Sequence, residues 1–344
     1  MSSVKIYECP INQIQKNYKF SSYGTFEVVK LIGEGSFSKI FLVRKLENDL
    51  TKNSINFNYY VIKIFKKFQL ENNDGIITSP SKVFFTEICE GHMLQRIKKI
   101  KSPYLVQIFD WNIDRKTCQM RVLMESMPYD LRDYLAVKEH WLKMDEHLIK
   151  KIAYQLLSGL NSLHKNRIIH FDLKPENILF DPEKKIVKIT DFTLSQFITY
   201  DLDKKNFGIP SAYPYTPIEG LMETKKYSFS YDIWSLGCIL FELVCKMIPF
   251  KGNDLKSTII NIISILGLNK DLMTNIDNLD DIYNHIYLTQ LEKKTIINYI
   301  KSNKKINFGD DNFYDLISRM LCINPNFRIS AEEAINHPCF KCIY

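Results

Sequence analysis

The run His170-Phe-Asp172-Leu-Lys174-Pro-Glu-Asn177-Ile-Leu179-Phe180, with Asp191-Phe-Thr193 starting fourteen residues after Asn177, constrains this chain more than any other feature. A carboxylate, a lysine two residues on and an asparagine three beyond that make a compact group of base, cation and amide. The strand-like stretch 186–190 leads into Asp191. Two metal-capable side chains, Asn177 and Asp191, are therefore expected to converge from adjacent loops. Each residue alone reads as a solvated loop polar group. In this order and at this spacing they read as a reaction centre.

Two weaker signals stand upstream. Gly33-Glu-Gly35-Ser-Phe-Ser38-Lys-Ile40 lies between two strand-like stretches. Glycines at such a turn let backbone N–H groups approach phosphates, although a hairpin turn favours glycine equally and Ser38 takes the third glycine position. Lys63 follows Gly35 by 28 residues, inside the apolar strand 59–64. It reads either as a lysine snorkelling to water or as a fixed cation for nucleotide phosphates. A helix carboxylate would brace it in the second case, and Glu87 and Glu90 lie one turn apart on the helix that follows.

At 344 residues the chain exceeds the usual single-domain size of about 100–200 residues, so two lobes are expected. Residues 1–22 carry little pattern and read as an N-terminal extension. Residues 23–127 alternate short strands, including 105–111 and 120–124, with one helix. From 128 to 344 the apolar spacing turns helical, over 145–165, 231–246, 256–266, 311–321 and 331–336. The polar, Asn- and Asp-rich stretch 269–310 reads as an insertion between helices.

Composition narrows the classes. The net charge is +7, yet only 8 of the 46 basic residues are Arg and the lysines are scattered. No basic block interleaved with aromatics argues for nucleic acid as a partner. The longest near-apolar run, 259–268, is too short to span a bilayer, and residues 1–10 are mixed and polar rather than a signal peptide. An intracellular protein, cytoplasmic or nuclear and without a membrane partner, is expected. The eight cysteines are scattered and read as free thiols; the Cys339-x-x-Cys342 pair has no second ligand pair nearby to make a zinc site.

In order along residues 23–343, these motifs, with Tyr231-Asp232-Ile-Trp234-Ser-Leu-Gly237 and Arg328-Ile-Ser-Ala, resemble the eukaryotic-type protein kinases. The resemblance implies an α+β bilobal fold: a small antiparallel-sheet N-lobe (23–127) with one main helix and a larger, mostly helical C-lobe (128–344). It implies ATP and magnesium as cofactors and a protein as substrate, and leaves a regulatory partner protein open. Asp172 would orient the acceptor hydroxyl, Lys174 would neutralise the transferring phosphoryl, and Asn177 and Asp191 would hold magnesium. Lys63 would hold the inner phosphates, with Glu90 preferred over Glu87 because it places Leu94 and Ile97 on its own helix face. Ile32, Gly33 and Gly35 would border the nucleotide, and Ile40, Val61 and Leu179 would enclose the purine. The backbone of Glu125 and Met127 would bond adenine, behind which Met124 would gate a back pocket; Asp130 would reach the ribose. The aspartate matching Asp232 holds the catalytic loop in this family, and the arginine matching Arg328 pairs with the glutamate matching Glu219. The lysine two residues after Asp172 favours serine or threonine as acceptor.

Four positions depart from the family pattern. Phe171 replaces the arginine before the catalytic aspartate, Thr193 replaces the glycine of the magnesium motif, Pro217-Ile218-Glu219 keeps only the glutamate of Ala-Pro-Glu, and Ala212 stands where a threonine is common. Without the arginine, a phosphate on the activation loop lacks its standard partner. Threonine, β-branched, is expected to narrow the conformations of the magnesium loop. The Asp130-Leu131 pair after the hinge and the 269–310 stretch resemble the cyclin-dependent, MAP, GSK and DYRK/CLK-like group. Thr216, however, occupies a position where that group usually carries arginine, so proline-directed specificity is not carried over. Two functions follow: an active serine/threonine kinase, or a pseudokinase serving as a nucleotide-responsive scaffold. Retention of Lys63, Asp172, Lys174, Asn177 and Asp191 together favours the first.

Overall fold

The computed structural model describes residues 16–35, 38–46, 59–65, 91–114, 119–198, 213–222, 227–252, 254–266 and 296–341. The chain divides into two compact units, residues 1–101 with 106–127 and residues 102–105 with 128–344. Among the described residues no helix is long and apolar enough to cross a membrane.

The first unit is a sheet of six strands: β1 (Asn17–Phe20), β2 (Gly24–Glu34), β3 (Ser38–Lys45), β4 (Tyr59–Phe65), β5 (Ile108–Ile113) and β6 (Met120–Glu125). Their order across the sheet is β1-β2-β3-β4-β6-β5, and every pairing is antiparallel. Strand alternation sends Phe41, Val43, Ile62, Ile64 and Leu123 to one face, where they pack with Phe26. The stretch 1–22 is not an extension throughout. Tyr18 and Phe20 of β1 enter this core, and the Phe20 ring meets Phe26 edge-on at 5.9 Å. An isolated pair of apolar residues gives too little periodicity for a strand to be read, but the edge of β2 supplies the pairing. Helix α1 (residues 91–99) buries Met93, Leu94 and Ile97. A Cβ at Gly91 would stand 2.6 Å from the Trp111 ring, so only glycine admits that approach.

The second unit is built on helices α4 (Glu146–Lys165) and α6 (Ser230–Cys245). Asp145 caps α4 by accepting from Leu148 N–H at 2.7 Å. The sequence of α6 is apolar almost all round, and its residues from Tyr231 to Cys245 are all buried, as expected of a helix in the middle of a core. Residues 102–105 belong to this unit. Ile189 N–H donates to Tyr104 O at 2.9 Å and Leu105 bridges Ile189, so the expected strand 105–111 begins only at Ile108. Gly159 of α4 leaves room for that segment, since its Cβ would lie 3.0 Å from Tyr104 O. The supposed insertion is partly structural: α8 (Ile296–Asn303) buries Ile296 and Ile300 and packs against α6 and α9 (Asp311–Met320). The remaining helices are α2 (Leu131–Ala136), α3 (Lys138–Trp141), α5 (Ile218–Leu221), α7 (Leu255–Leu266) and α10 (Ala331–Ile335).

Candidate active site

In the second unit, β8 (Ile168–Ile169) delivers the chain into the loop His170–Lys174, and a single 3-10 turn (Pro175–Asn177) passes it to β9 (Ile178–Asp181). The loop backbone is unusual, with Phe171 at φ +65°. A non-glycine residue in that region persists only when its surroundings fix it. Asp232, fully buried at the start of α6, does so: its carboxylate accepts from His170 N–H (2.9 Å) and Phe171 N–H (3.0 Å), and His164 Nε2 lies 2.9 Å away. A buried carboxylate requires such compensation, and the loop N–H groups and the His164 imidazole supply it.

Within the loop, Lys174 Nζ donates to Asp172 Oδ2 at 2.8 Å, and Asn177 Nδ2 donates to Asp172 O and Oδ2 at 2.7 and 2.9 Å. The carboxylate is thereby aimed by two donors, one of them charged. With its NH2 turned to Asp172, Asn177 presents its amide oxygen on the other side of the group.

Strands β9 and β10 (Ile186–Ile189) form a hairpin that places the second loop beside the first. Thr190 N–H donates to Asn177 O at 3.0 Å, one residue before Asp191. His170 ties the same two segments: its Nδ1 accepts from Asp172 N–H at 3.3 Å, which leaves the Nε2 proton for Thr190 O at 2.9 Å. Asp191 is itself left-handed, at φ +61°. Strand β7 (Tyr129–Asp130) pairs with β9 so that Asp130 stands opposite Leu179. The Asp130 carboxyl lies above its usual range, chiefly through burial, while also capping α2 through Asp133 N–H.

In the first unit, register aligns the other expected residues. Ile40 faces Gly33 on one side and Lys63 on the other, and Lys63 faces Val122; Val61, two residues from Lys63, faces Met124. These residues share the face opposite the aromatic core. Lys63 is buried, with its ammonium 5.1 Å from the centre of the Phe65 ring. A register shift between Leu31 and Gly33 leaves Ile32 exposed at the strand end, and Gly35 N–H closes the hairpin on Ser38 O at 2.9 Å. Glu125 N–H donates to Gln107 O at 3.0 Å, and Met127 is half-buried at the end of this unit. Glu87 and Glu90 lie outside the described residues.

Two features escaped the sequence. Arg132 of α2 donates to Glu176 Oε1 (3.0 Å), Glu242 Oε1 (2.6 Å) and Tyr215 Oη (2.5 Å), while Tyr215 Oη donates to Glu242 Oε2 (2.6 Å). Burial alone would lower the guanidinium, but Glu242 more than reverses that, and the Tyr215 hydroxyl is driven up by burial and by Glu242. No local spacing links residues so far apart in sequence. The second is the Thr193 hydroxyl, which donates to Asp191 Oδ1 at 2.6 Å; the Asp-x-Thr pattern is a signal that could have found it. Further off, Arg328 forks onto Glu219 at 2.7 and 3.2 Å, both buried.

For a cation, the adjacent donors are one carboxylate and one amide oxygen, both hard. Among the described residues no cluster of three or more His, Cys, Asp or Glu side chains forms an all-protein metal cage. Two protein oxygens fit magnesium, which keeps waters and substrate phosphates as its other ligands.

A family model of the protein kinase domain matches residues 26–340. The chain is 29% identical to cyclin-dependent kinase 1 of Encephalitozoon cuniculi, over 92% of this chain and 97% of that protein. It is 27% identical to cyclin-dependent kinase B2-2 of Arabidopsis thaliana, over 93% of this chain and 94% of that one. A probable cyclin-dependent serine/threonine-protein kinase of Dictyostelium discoideum is 28% identical over 92% of this chain and 20% of its own length. With the family model covering most of its length and the catalytic loop held as described, this chain belongs to the protein kinase family.

Proposed function

We propose that the protein transfers the γ-phosphoryl of Mg-ATP to a serine or threonine hydroxyl of a protein substrate. The observation that carries this is the Asp172 carboxylate held by Lys174 and Asn177, with Asn177 tied through Thr190 to the segment of Asp191. Transfer asks little covalent work of a protein, so positioning and charge stabilisation supply the rate. Asp172 accepts and orients the acceptor hydroxyl. Lys174, already beside it, offsets charge on the moving phosphoryl. Asn177 and Asp191 hold magnesium, which when bound neutralises phosphate charge. Lys63 holds the inner phosphates, Ile40, Val61 and Leu179 enclose the base, Glu125 O and Met127 N–H bond its edge, and Asp130 takes the ribose. Ile32, Gly33 and Gly35 border the phosphates, and Glu90 braces Lys63. The relatives' names carry cyclin dependence, and on that basis we propose a regulatory partner protein and an intracellular setting for this chain as well.

The test is transfer of labelled γ-phosphate to a generic basic protein or to the enzyme itself. Asp172→Asn should reduce it on the order of a thousandfold while the Mg-ATP-dependent rise in Tm persists, because Asp172 addresses the acceptor and not the nucleotide. Undiminished turnover in the variant would remove Asp172 from the mechanism. A wild-type protein that binds Mg-ATP without transferring phosphate would be a pseudokinase, the alternative motivated by Thr193 and the altered activation segment around Ala212 and Pro217-Ile218.

A further inference from the structure

We propose that Tyr231 is a positioning residue for phosphoryl transfer, tying the catalytic loop to the segment 213–221 from between them; the inference rests on the Mg-ATP reading above. Phe171 and Thr216, two positions where this chain departs from the family pattern, lie far apart in sequence, and both touch this one side chain. The Phe171 ring meets the Tyr231 ring at 5.0 Å with 68° between their planes, and the Tyr231 hydroxyl shares a hydrogen bond with the Thr216 side chain. Tyr227 backs the pair, 5.6 Å from Phe171 and 6.1 Å from Tyr231. A buried tyrosine needs a partner for its hydroxyl, and Thr216, itself buried, provides it. Ser235, one turn further along α6, donates to Tyr215 O at 2.8 Å, so one face of the helix holds two successive residues of the segment. Gly220 of α5 shows how closely the ring is seated: a Cβ there would stand 2.7 Å from Tyr231 Cε2 and 3.0 Å from Thr216 Cγ2.

The neighbours of Tyr231 give the contact its consequence. Asp232, the next residue, accepts from the Phe171 N–H at 3.0 Å, so the start of α6 holds Phe171 by its backbone and by its ring. The second hold matters at φ +65°, a conformation that a bulky residue keeps only while its surroundings impose it. Asp172 follows directly, and the aim of its carboxylate at an acceptor hydroxyl depends on the turn made one residue earlier. An edge-to-face ring pair is directional where an aliphatic contact is not. Removing one ring therefore loosens the aim of Asp172 while the Asp232 hydrogen bonds remain.

The experiment measures kcat for transfer of labelled γ-phosphate to a generic basic protein by the full chain, with the Mg-ATP-dependent rise in Tm beside it. Tyr231→Leu and Phe171→Leu should each lower kcat by up to about tenfold, the scale of one edge-to-face ring pair, and leave the rise in Tm in place. The double variant should lose no more than either single one, since both remove the same contact. Tyr231→Phe keeps the ring and drops the hydroxyl, and its kcat should fall between wild type and Tyr231→Leu. Gly220→Ala presses on the ring without removing it and should lower kcat in the same sense; should leucine perturb folding, these two variants decide. Undiminished kcat in Tyr231→Leu or Gly220→Ala overturns the inference, as do losses that multiply in the double variant. A rise in Tm lost together with kcat overturns it too, since the tie would then serve the whole site and not Asp172. In each of these cases transfer by the wild type leaves the Mg-ATP reading standing, whereas a wild type that transfers nothing overturns both.

Discussion

Phe171 occupies the one loop position from which this family ordinarily answers activation-loop phosphate with a guanidinium. Its ring meets Tyr231 at 5.0 Å and Tyr227 at 5.6 Å, edge to face, so an aromatic cluster stands where charge is expected. Such a cluster gives no bidentate hydrogen bond to a phosphate. Phosphatase treatment should leave the rate within about twofold, measured by phosphoryl transfer before and after; a collapse would show that another cation answers the phosphate. Thr199 and Tyr200, natural acceptors on that segment, lie outside the described residues. Asp310 gives a second residue-level prediction. Burial pushes its carboxyl up, but Lys150 at 2.7 Å and the Asn312 N–H outweigh that and hold it below the usual range. A depressed folded value adds stability above the unfolded pKa of about 4 and loses it as pH falls through the folded value. Asp310→Asn keeps a capping oxygen and removes the charge. It should cost about 1 kcal/mol at pH 7, and urea unfolding should show the gap closing toward pH 3.

Elements here are joined by arginines placed where the backbone alone would not hold them. Arg328 reaches Glu219 of α5 and the carbonyls of Ser230, Cys322 and Ile323, all within the buried region behind α6. Replacing it with Met would strand a buried carboxylate and should cost about 3–5 kcal/mol, read from the unfolding midpoint. Arg132 does the same for α2, the catalytic turn and the 3-10 turn Tyr213–Tyr215, through Glu176, Glu242 and the Tyr215 hydroxyl. Arg132→Ala should destabilise by a comparable amount. It should also lower kcat for phosphoryl transfer, read with labelled γ-phosphate, since Glu176 sits in the turn that carries Asn177.

At the scale of the molecule, each unit has its own core, and β1 shows how the smaller one is completed. Tyr18 and Phe20 are buried against Phe26 and Phe41, and Arg121 lies 4.9 Å from the Tyr18 ring centre. Phe20→Ala should cost about 3–5 kcal/mol in the first unit. Amide exchange should then accelerate in β2 and β3 while α4 and α6 keep their protection; acceleration in both would mean that the units unfold as one.

Periodicity and motif spacing by themselves determined helices α4, α6, α7, α9 and α10, most of strands β2 to β6 and the two short polar loops at 170–177 and 191–193, because those signals are local. Leu148, Ile152, Leu156 and Leu160 lie a helical turn apart and bury together, and the Asp172-to-Asn177 interval is short enough for one loop to close on itself. Tertiary structure alone decided what depends on a partner distant in sequence. The edge of β2 turned residues 17–20 into a strand, and Ile189 drew Leu105 away from β5. The cores of α6 and α9 gave residues 296–303 something to bury against. Glu242, 110 residues away, gave Arg132 its place. The reason is physical in each case: a hydrogen bond or an apolar contact stabilises a segment only where its partner already stands, and a sequence states the segment but not the partner's position.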